Sequence, residues 1–357
     1  MSATRKFANC SQVFSTCPQS KDFPAGEYPR QVERVARWSD AAGCAGMLIY
    51  TDNSIVDPWL VAQSVLCSTR HLCPLVAVQP IYMPPYTAAK MVASLSFLHG
   101  RRIWLNMLAG GFRNDLIALG DETPHDERYA RTIEYSLLMR RLLERDEPIS
   151  FSGRYYAVRS VRMTPSVPAE LIPGFLISGS SPAGQAAAAA IGATAVEYPG
   201  PAGLQDRRGE PGPAPPARGI RIGIIARDNA DEAWRVAYDR FPDDRRGRLS
   251  HALAMKTSDS AWHRTLSAIA RERSADSSPY WLWPFEHHQT FCPYLVGDFP
   301  TVAGELARYQ ALGYGSFILD IPREAIDLET AAEAFRTAAD RPAALSPGAP
   351  SSAGSSC

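Results

Sequence analysis

The sequence predicts an α/β chain folded as one (β/α)8 TIM barrel with insertions. Three observations carry that reading. Short apolar runs alternate with longer stretches of helical period, eight such strand steps can be counted without an internal repeat, and the strand runs end in loops rich in Gly, Pro, Asn or Ser. Right-handed crossovers between parallel strands put every post-strand loop on one face, so the residues just after each strand are the candidates for chemistry.

Taken in order, FANCSQVFSTC (7–17) holds the first strand. Residues 28–42 place Val32, Val35, Ala36 and Trp38 on one helical stripe that Gly43 ends. GMLIYT (46–51) is a buried strand, Asp52 to Ser54 a polar loop, and 57–69 a helix with Pro58 in its first turn. A strand at 75–78, a Pro-punctuated loop at 80–85 and a helix at 86–98 repeat the unit. RIWLNML (102–108) is the fourth strand, 109–111 its glycine loop, and 127–144 a long amphipathic helix with Leu137, Leu138, Leu142 and Leu143 on its apolar side. ISFSGRYYAV (149–158) breaks the alternation and reads as a hairpin around Ser152 and Gly153.

LIPGFLISGSSPAGQAAAAAIGATAVEY (171–198) then gives strand, tight loop, helix and strand in quick succession. Ser181 is a good N-cap, Pro182 suits the first turn, and the small residues Ser178, Gly179, Ser180 and Ser181 let backbone N–H groups approach an anion at the positive end of the helix. A capped strand-to-helix turn with no ligand has the same composition, so this stretch alone leaves both readings open. Residues 199–219 hold too much Pro and Gly for a helix and are expected to form a mobile loop. Strand seven is 220–226, a helix starts at Asp231, and a longer helical stretch is expected over 248–270. An aromatic lid insertion at 277–300 carries His287 and His288, either as general acid/base groups or as parts of a packed loop. A helix at 301–312, the eighth strand at 316–319 and a closing helix at 328–338 complete a domain expected to span 1–341, with a disordered tail at 342–357.

Thirty-seven basic and 37 acidic residues give a formal net charge of zero, and no cationic run stands out, which argues against nucleic acid or an anionic membrane as partner. No apolar stretch approaches the roughly 18 residues of a membrane span, and a cytoplasmic chain is expected. Seven cysteines without a paired C-x-x-C pattern point to reduced thiols rather than disulfides or a metal site.

With the elements laid out, the chain resembles the bacterial luciferase family of flavin-dependent monooxygenases, and within it the alkanesulfonate monooxygenase branch. The resemblance rests on AGMLIYTDNSIVDPW (45–59), RRIWLNMLAGG, HDERYART (125–132), FLISGSSPAG, RDNADEAW (227–234) and LVGDFPTVAGELARYQALGYGSFIL (295–319), in the family's order. It implies FMN, taken up as FMNH2, together with O2. The flavin would activate oxygen as a C4a-(hydro)peroxyflavin, reducing power would come from a separate NAD(P)H:flavin reductase, and the protein would assemble as a homodimer or homotetramer. By the same resemblance Asn106 and Asp52 lie near the flavin, His125 and Tyr129 beside its phosphate, and Ser178, Gly179, Ser180 and Ser181 around that phosphate. Asn53, Ile55, Gln79 and Tyr82 become candidate substrate contacts, and His287, His288 and Arg221 candidate catalytic residues.

The departures from the alkanesulfonate pattern matter as much. A Cys is replaced by Ile55, a strand-seven His by Gly223, a loop Arg by His288 and a Tyr by Ile321, while Arg221 is kept. A sulfonate pocket needs fixed positive charge, so a larger and less ionic metabolite is expected, fitting specialised biosynthesis. A deazaflavin-dependent hydride transfer and a non-catalytic flavin-binding subunit are the alternatives. A phosphate-substrate aldolase or isomerase would need a Schiff-base Lys or paired carboxylates at strand ends, and neither is present.

Overall fold

A computed structural model describes residues 7, 11–110, 113–205, 217–247, 261–272 and 278–340. The described residues begin with β1 (Gln12–Thr16) as their first strand and step through α1 (Tyr28–Ala42), β2 (Gly46–Ile49), α2 (Pro58–Ser68), β3 (Cys73–Val78), α3 (Pro85–His99) and β4 (Trp104–Met107). Then come a short α4 (Arg113–Ala118), a long α5 (His125–Glu144) and the hairpin of β5 (Ile149–Ser152) with β6 (Ala157–Val161). β7 (Phe175–Ser178), α6 (Pro182–Ile191), β8 (Thr194–Glu197), a one-turn α7 (Ala202–Gln205) and the long β9 (Arg218–Arg227) follow. The last third holds α8 (Ala230–Arg240), α9 (Ala261–Glu272), β10 (Tyr280–Trp281), α10 (Trp283–Glu286), β11 (Tyr294–Asp298), α11 (Phe299–Ala311), β12 (Tyr314–Leu319) and α12 (Ala325–Ala339).

Eight parallel strands close on themselves in the order β9-β12-β1-β2-β3-β4-β7-β8, with β8 pairing back onto β9. The expected (β/α)8 barrel is therefore the fold. β9 is long enough to serve two neighbours along its length. Its first half pairs with β12 up to Ile222 opposite Leu319, and its second half pairs with β11 from Gly223 opposite Tyr294 to Arg227 opposite Asp298.

Inside the barrel, Phe14, Leu48, Leu75, Leu176, Val196 and Ile318 pack with Trp104 into a dry layer. Burying each contributes roughly 1.5–3 kcal/mol. Side chains alternate along a strand, so two residues further on the inward position falls to Thr16, Tyr50, Ala77, Asn106, Ser178, Tyr198 and Asp320, all but Ala77 polar. The register partner of inward Ile318 is Arg221, which places it with them. The apolar layer thus carries a polar one at the C-terminal mouth.

Helix ends follow the sequence. Asp57 accepts the Trp59 amide at 2.9 Å to start α2, and Gly43 ends α1 in the left-handed region at φ 81°. In the hairpin, the Glu134 carboxylate of α5 accepts the amides of Arg154, Tyr155 and Tyr156 at 2.9, 2.8 and 2.6 Å, so the excursion is moored to the barrel wall.

Several expectations are corrected. The stretch 199–219 is not free of helix, because Pro201 precedes the turn of α7 and β9 already begins at Arg218. Residues 206–216 of that loop lie outside the described residues, as do 248–260 of the expected long helix and the tail. The aromatic stretch contains β10, α10 and β11, and its last two residues already belong to α11, so much of it is regular structure on β9. α4 was not foreseen, and α5 begins at His125, where Pro124 precedes its first turn. Five cysteines among the described residues are free thiols, and Cys10 and Cys357 lie outside them. Among the described residues no helix is long and apolar enough to cross a membrane.

Candidate active site

The Gly/Ser loop after β7 has the local geometry of an anion cradle. The Ser181 side chain caps α6 by accepting the Gly184 amide at 3.2 Å. Gly179 lies under the Tyr129 hydroxyl, where a Cβ would come within 2.5 Å of the phenol oxygen. Tyr129 is buried, which raises its pKa despite the opposing influence of Ser181 and the Arg128 charge, and keeps it a proton donor. His125 meets the Tyr129 ring edge-on at 5.1 Å, and its Nδ1 lies 2.7 Å from Asp126. The first turns of α5 and α6 and the loop between β7 and α6 therefore meet at one place. Ser180 Oγ is buried there with no hydrogen-bond partner, and a hydroxyl in that position costs about 1–3 kcal/mol unless a ligand satisfies it.

Asn106, on the inward face of β4, is buried and accepts from Ser178 Oγ at 3.0 Å, which leaves its NH2 as the donor side of the amide. The sequence-predicted Asn106, His125, Tyr129 and Ser178 to Ser181 are thus brought together. A phosphate fits this chemistry: hydroxyl and ring N–H donors and a helix N-terminus, with an orphaned hydroxyl awaiting an acceptor.

Across the mouth stands a second polar group. Arg221 is 5% exposed, and its guanidinium lies 4.9 Å over the Tyr50 ring. It donates to the Tyr198 hydroxyl at 3.3 Å and to Asp320 Oδ1 at 3.4 Å. Asp320 Oδ2 accepts from Thr290 Oγ1 at 2.5 Å and from the Tyr294 hydroxyl at 2.8 Å. Burial raises the pKa of Tyr198, Tyr294 and the Cys292 thiol, with the Asp320 charge adding to each, so all three hold their protons. Only Arg221 of this group was singled out from sequence. Tyr50, Tyr198 and Asp320 were missed, although each immediately follows a barrel strand, which is the position where a TIM barrel keeps its functional side chains.

The remaining predicted residues separate. Asn53 accepts from the Tyr82 hydroxyl at 2.8 Å and donates to the Asp115 carbonyl at 3.1 Å, and the Tyr82 amide bonds the Gln79 carbonyl at 3.1 Å. Burial, followed by the charges of Asp115 and Asp52, pushes the Tyr82 phenol to about 12. Asp52 accepts both the amide and hydroxyl of Ser54 at 2.6 Å, shaping its own loop. Ile55 and Asn53 line an apolar cavity of about 630 Å³ between the β1–α1 loop and the N-terminal ends of α1 and α2, whose lining includes neither Asn106 nor Arg221.

His287 and His288 point to different surroundings. His287 is 3% exposed, stacks on Trp283 at 4.0 Å, and has Nδ1 2.8 Å from the Trp283 carbonyl and Nε2 3.1 Å from Asp243. Both ring nitrogens are engaged within the aromatic segment and the loop after α8. His288 is only partly covered, sits at φ 54°, and has its pKa lowered by that partial burial and then by the Lys21 charge on the loop after β1. The structure also explains one departure noted above. A Cβ on Gly223 would meet the Tyr294 ring at 2.3–2.4 Å, so no larger side chain has room there.

With this geometry in view, the family model for luciferase-like monooxygenases matches residues 11–316. The chain belongs to the luciferase-like monooxygenase family. Among characterised proteins, this luciferase-like monooxygenase is 35% identical over 297 residues to the 4-(gamma-L-glutamylamino)butanoyl-[BtrI acyl-carrier protein] monooxygenase BtrO of Niallia circulans, covering 82% of this chain and 86% of that one. Its fold is shared with EDTA monooxygenase EmoA from Chelativorans sp. BNC1, at TM-score 0.67 and 15% identity over 94% of this chain and 96% of that chain. It is shared too with the oxygenating constituent of 3,6-diketocamphane monooxygenase from Pseudomonas putida, a type II Baeyer–Villiger enzyme in complex with FMN. That match has TM-score 0.66 and 14% identity, covering 92% of this chain and 96% of the other.

Proposed function

We propose that this luciferase-like monooxygenase uses FMN, taken up as FMNH2 from a separate NAD(P)H:flavin reductase, and inserts one oxygen atom from O2 into an acyl metabolite of specialised biosynthesis. The observation that carries the reading is the buried, unpartnered Ser180 Oγ in a cradle closed by Gly179 beneath Tyr129 and by the N-terminus of α6. Ser178, Gly179, Ser180 and Ser181 would hold the phosphate with His125 and Tyr129, and Asn106 would orient the ring system. Bound reduced flavin supplies the two electrons that, with O2 and two protons, deliver one oxygen atom to the substrate and one to water. The chain's own task is to bind, orient and exclude water. The dry layer below the mouth, the half-buried Tyr50 and Tyr198 and the buried Arg221 form the floor and wall of such a site. The sequence carries no dinucleotide fingerprint, which supports a partner reductase, and a homodimer or homotetramer in the cytoplasm remains the expected setting.

The BtrO relative acts, by its name, on an acyl group carried by an acyl-carrier protein, and the loss of sulfonate-type charges agrees with a neutral acyl substrate here. We therefore propose a carrier-bound or otherwise thioester-linked acyl chain. The test is turnover of a panel of acyl N-acetylcysteamine thioesters with enzymatically supplied FMNH2 under labelled O2, followed by mass spectrometry. Gain of one labelled oxygen supports the assignment. Flavin oxidation with no labelled product across the panel, together with unchanged FMN binding by a Ser180→Asp variant, would overturn it.

A further inference from the structure

We propose that Asp320 is a specificity-determining residue that neutralises Arg221, so that the barrel mouth accepts a neutral carbonyl group, an amide, ester or thioester, and rejects a free carboxylate or sulfonate. The inference rests on the acyl-substrate reading above but concerns the charge state of the pocket, which can be measured without turnover. A buried guanidinium facing an active-site mouth would ordinarily serve as an anion receptor. Here its charge is already matched. Arg221 Nη2 contacts Asp320 at 3.4 Å, and Asp320 is fixed by Thr290 at 2.5 Å and Tyr294 at 2.8 Å, leaving it little freedom to swing away.

Two further cations, Arg240 and Arg323, act on Asp320 through space. Arg240 is engaged in its own ion pair with Asp327, and the Arg323 guanidinium lies 5.2 Å over the Phe241 ring. The pair leaves two donors, Arg221 Nε of the same guanidinium and the Tyr50 hydroxyl, both buried without a hydrogen-bond partner. Two donors beside a charge-matched pair, the guanidinium 4.9 Å over the Tyr50 ring, suit a carbonyl oxygen, whose lone pairs they can fill. A sulfonate or carboxylate brought to the same place would meet the Asp320 carboxylate and lose its hydration beside an Arg221 charge that is already paired.

Thr290 and Tyr294 come from the aromatic segment, so the same contacts tie that segment to the end of β12. The position that sets selectivity is therefore held by the part of the chain beside the mouth.

The test is isothermal titration of the full chain loaded with oxidised FMN, using octanamide and octanesulfonate as neutral and anionic probes. The wild type is expected to bind octanamide at least about tenfold more tightly than octanesulfonate. Asp320→Asn keeps the shape and an acceptor for Thr290 but frees the guanidinium charge. It should tighten octanesulfonate about tenfold or more while moving octanamide by less than about threefold, the range expected for one charge-assisted hydrogen bond. Adding Arg221→Gln to Asp320→Asn should remove the gain. If Asp320→Asn does not fold, Arg221→Gln alone decides: with Asp320 uncompensated, it should discriminate against the sulfonate more strongly than the wild type. A wild type that prefers octanesulfonate, an Asp320→Asn protein whose sulfonate affinity is unchanged, or an Arg221→Gln protein that weakens both probes equally overturns the proposal. Neither probe needs to be oxygenated, so a failure of the monooxygenase reading would leave these dissociation constants unaffected.

Discussion

Replacing Ser180 with Ala should move stability and cofactor affinity in opposite directions. In the ligand-free chain Ser180 Oγ is buried with no partner, so the hydroxyl forfeits its hydration and receives nothing in return. Leaving such a group unsatisfied costs about 1–3 kcal/mol, and alanine removes the penalty while deleting only one small atom from the loop. The apo protein is therefore expected to gain about 1 kcal/mol, seen as a higher urea midpoint at unchanged slope. If the same hydroxyl donates to a phosphate oxygen in the complex, its loss removes a charge-assisted hydrogen bond of about 1.5–3 kcal/mol. FMN should then bind roughly ten- to a hundredfold more weakly, since about 1.4 kcal/mol is a factor of ten. Equilibrium urea unfolding and flavin fluorescence titration on the same preparations measure both halves. A less stable apo protein with FMN affinity unchanged would show that Ser180 is an ordinary loop residue and that the cradle lies elsewhere.

Further outcomes are expected. Gly223→Ala should destabilise the fold by about 1–3 kcal/mol in chemical denaturation, because its Cβ would strike the Tyr294 ring at 2.3–2.4 Å; a neutral effect would mean that the ring moves aside at no cost. His287→Ala should lower stability by about 2 kcal/mol with FMN affinity unchanged, whereas His288→Gly should raise it by up to about 1 kcal/mol by relieving a side chain held at φ 54°. Because the folded-state pKa of His288 is lowered, first by burial and then by Lys21, the native state binds less proton there than the unfolded chain. Its contribution to stability should therefore be lost as pH falls through about 6.5 toward the folded value, and Lys21→Met should raise the His288 pKa followed by NMR. Sulfite release from octanesulfonate with supplied FMNH2 should be negligible, and turnover like that of a dedicated alkanesulfonate enzyme would show that other residues furnish the missing charge.

Period and punctuation made the barrel legible without coordinates. The helical stripe of α1 and its closing Gly43, the Pro-started α2 and α6, and the small residues from Ser178 to Ser181 are local features, set by side-chain spacing and backbone freedom within a few residues. For the same reason the strand, loop and capped helix of the proposed phosphate cradle could be read from one stretch, since they lie adjacent in sequence. Local composition also misled where only one property was weighed: the Pro and Gly of 199–219 hid the turn of α7, and the aromatics of 277–300 hid the strand β11, whose partner is the far half of β9. What only the tertiary structure decided is the other side of the mouth. Tyr50, Tyr198, Arg221 and Asp320 stand far apart in the chain and meet because barrel closure brings the ends of β2, β8 and β12 and the middle of β9 around one axis, with Thr290 and Tyr294 reaching Asp320 from the aromatic segment. The same closure leaves His287 stacked on Trp283 and His288 near Lys21, so two neighbours in sequence do not share a site. A sequence records which charges exist, but whether Arg221 is a free cation or half of a matched pair depends on where the barrel puts Asp320.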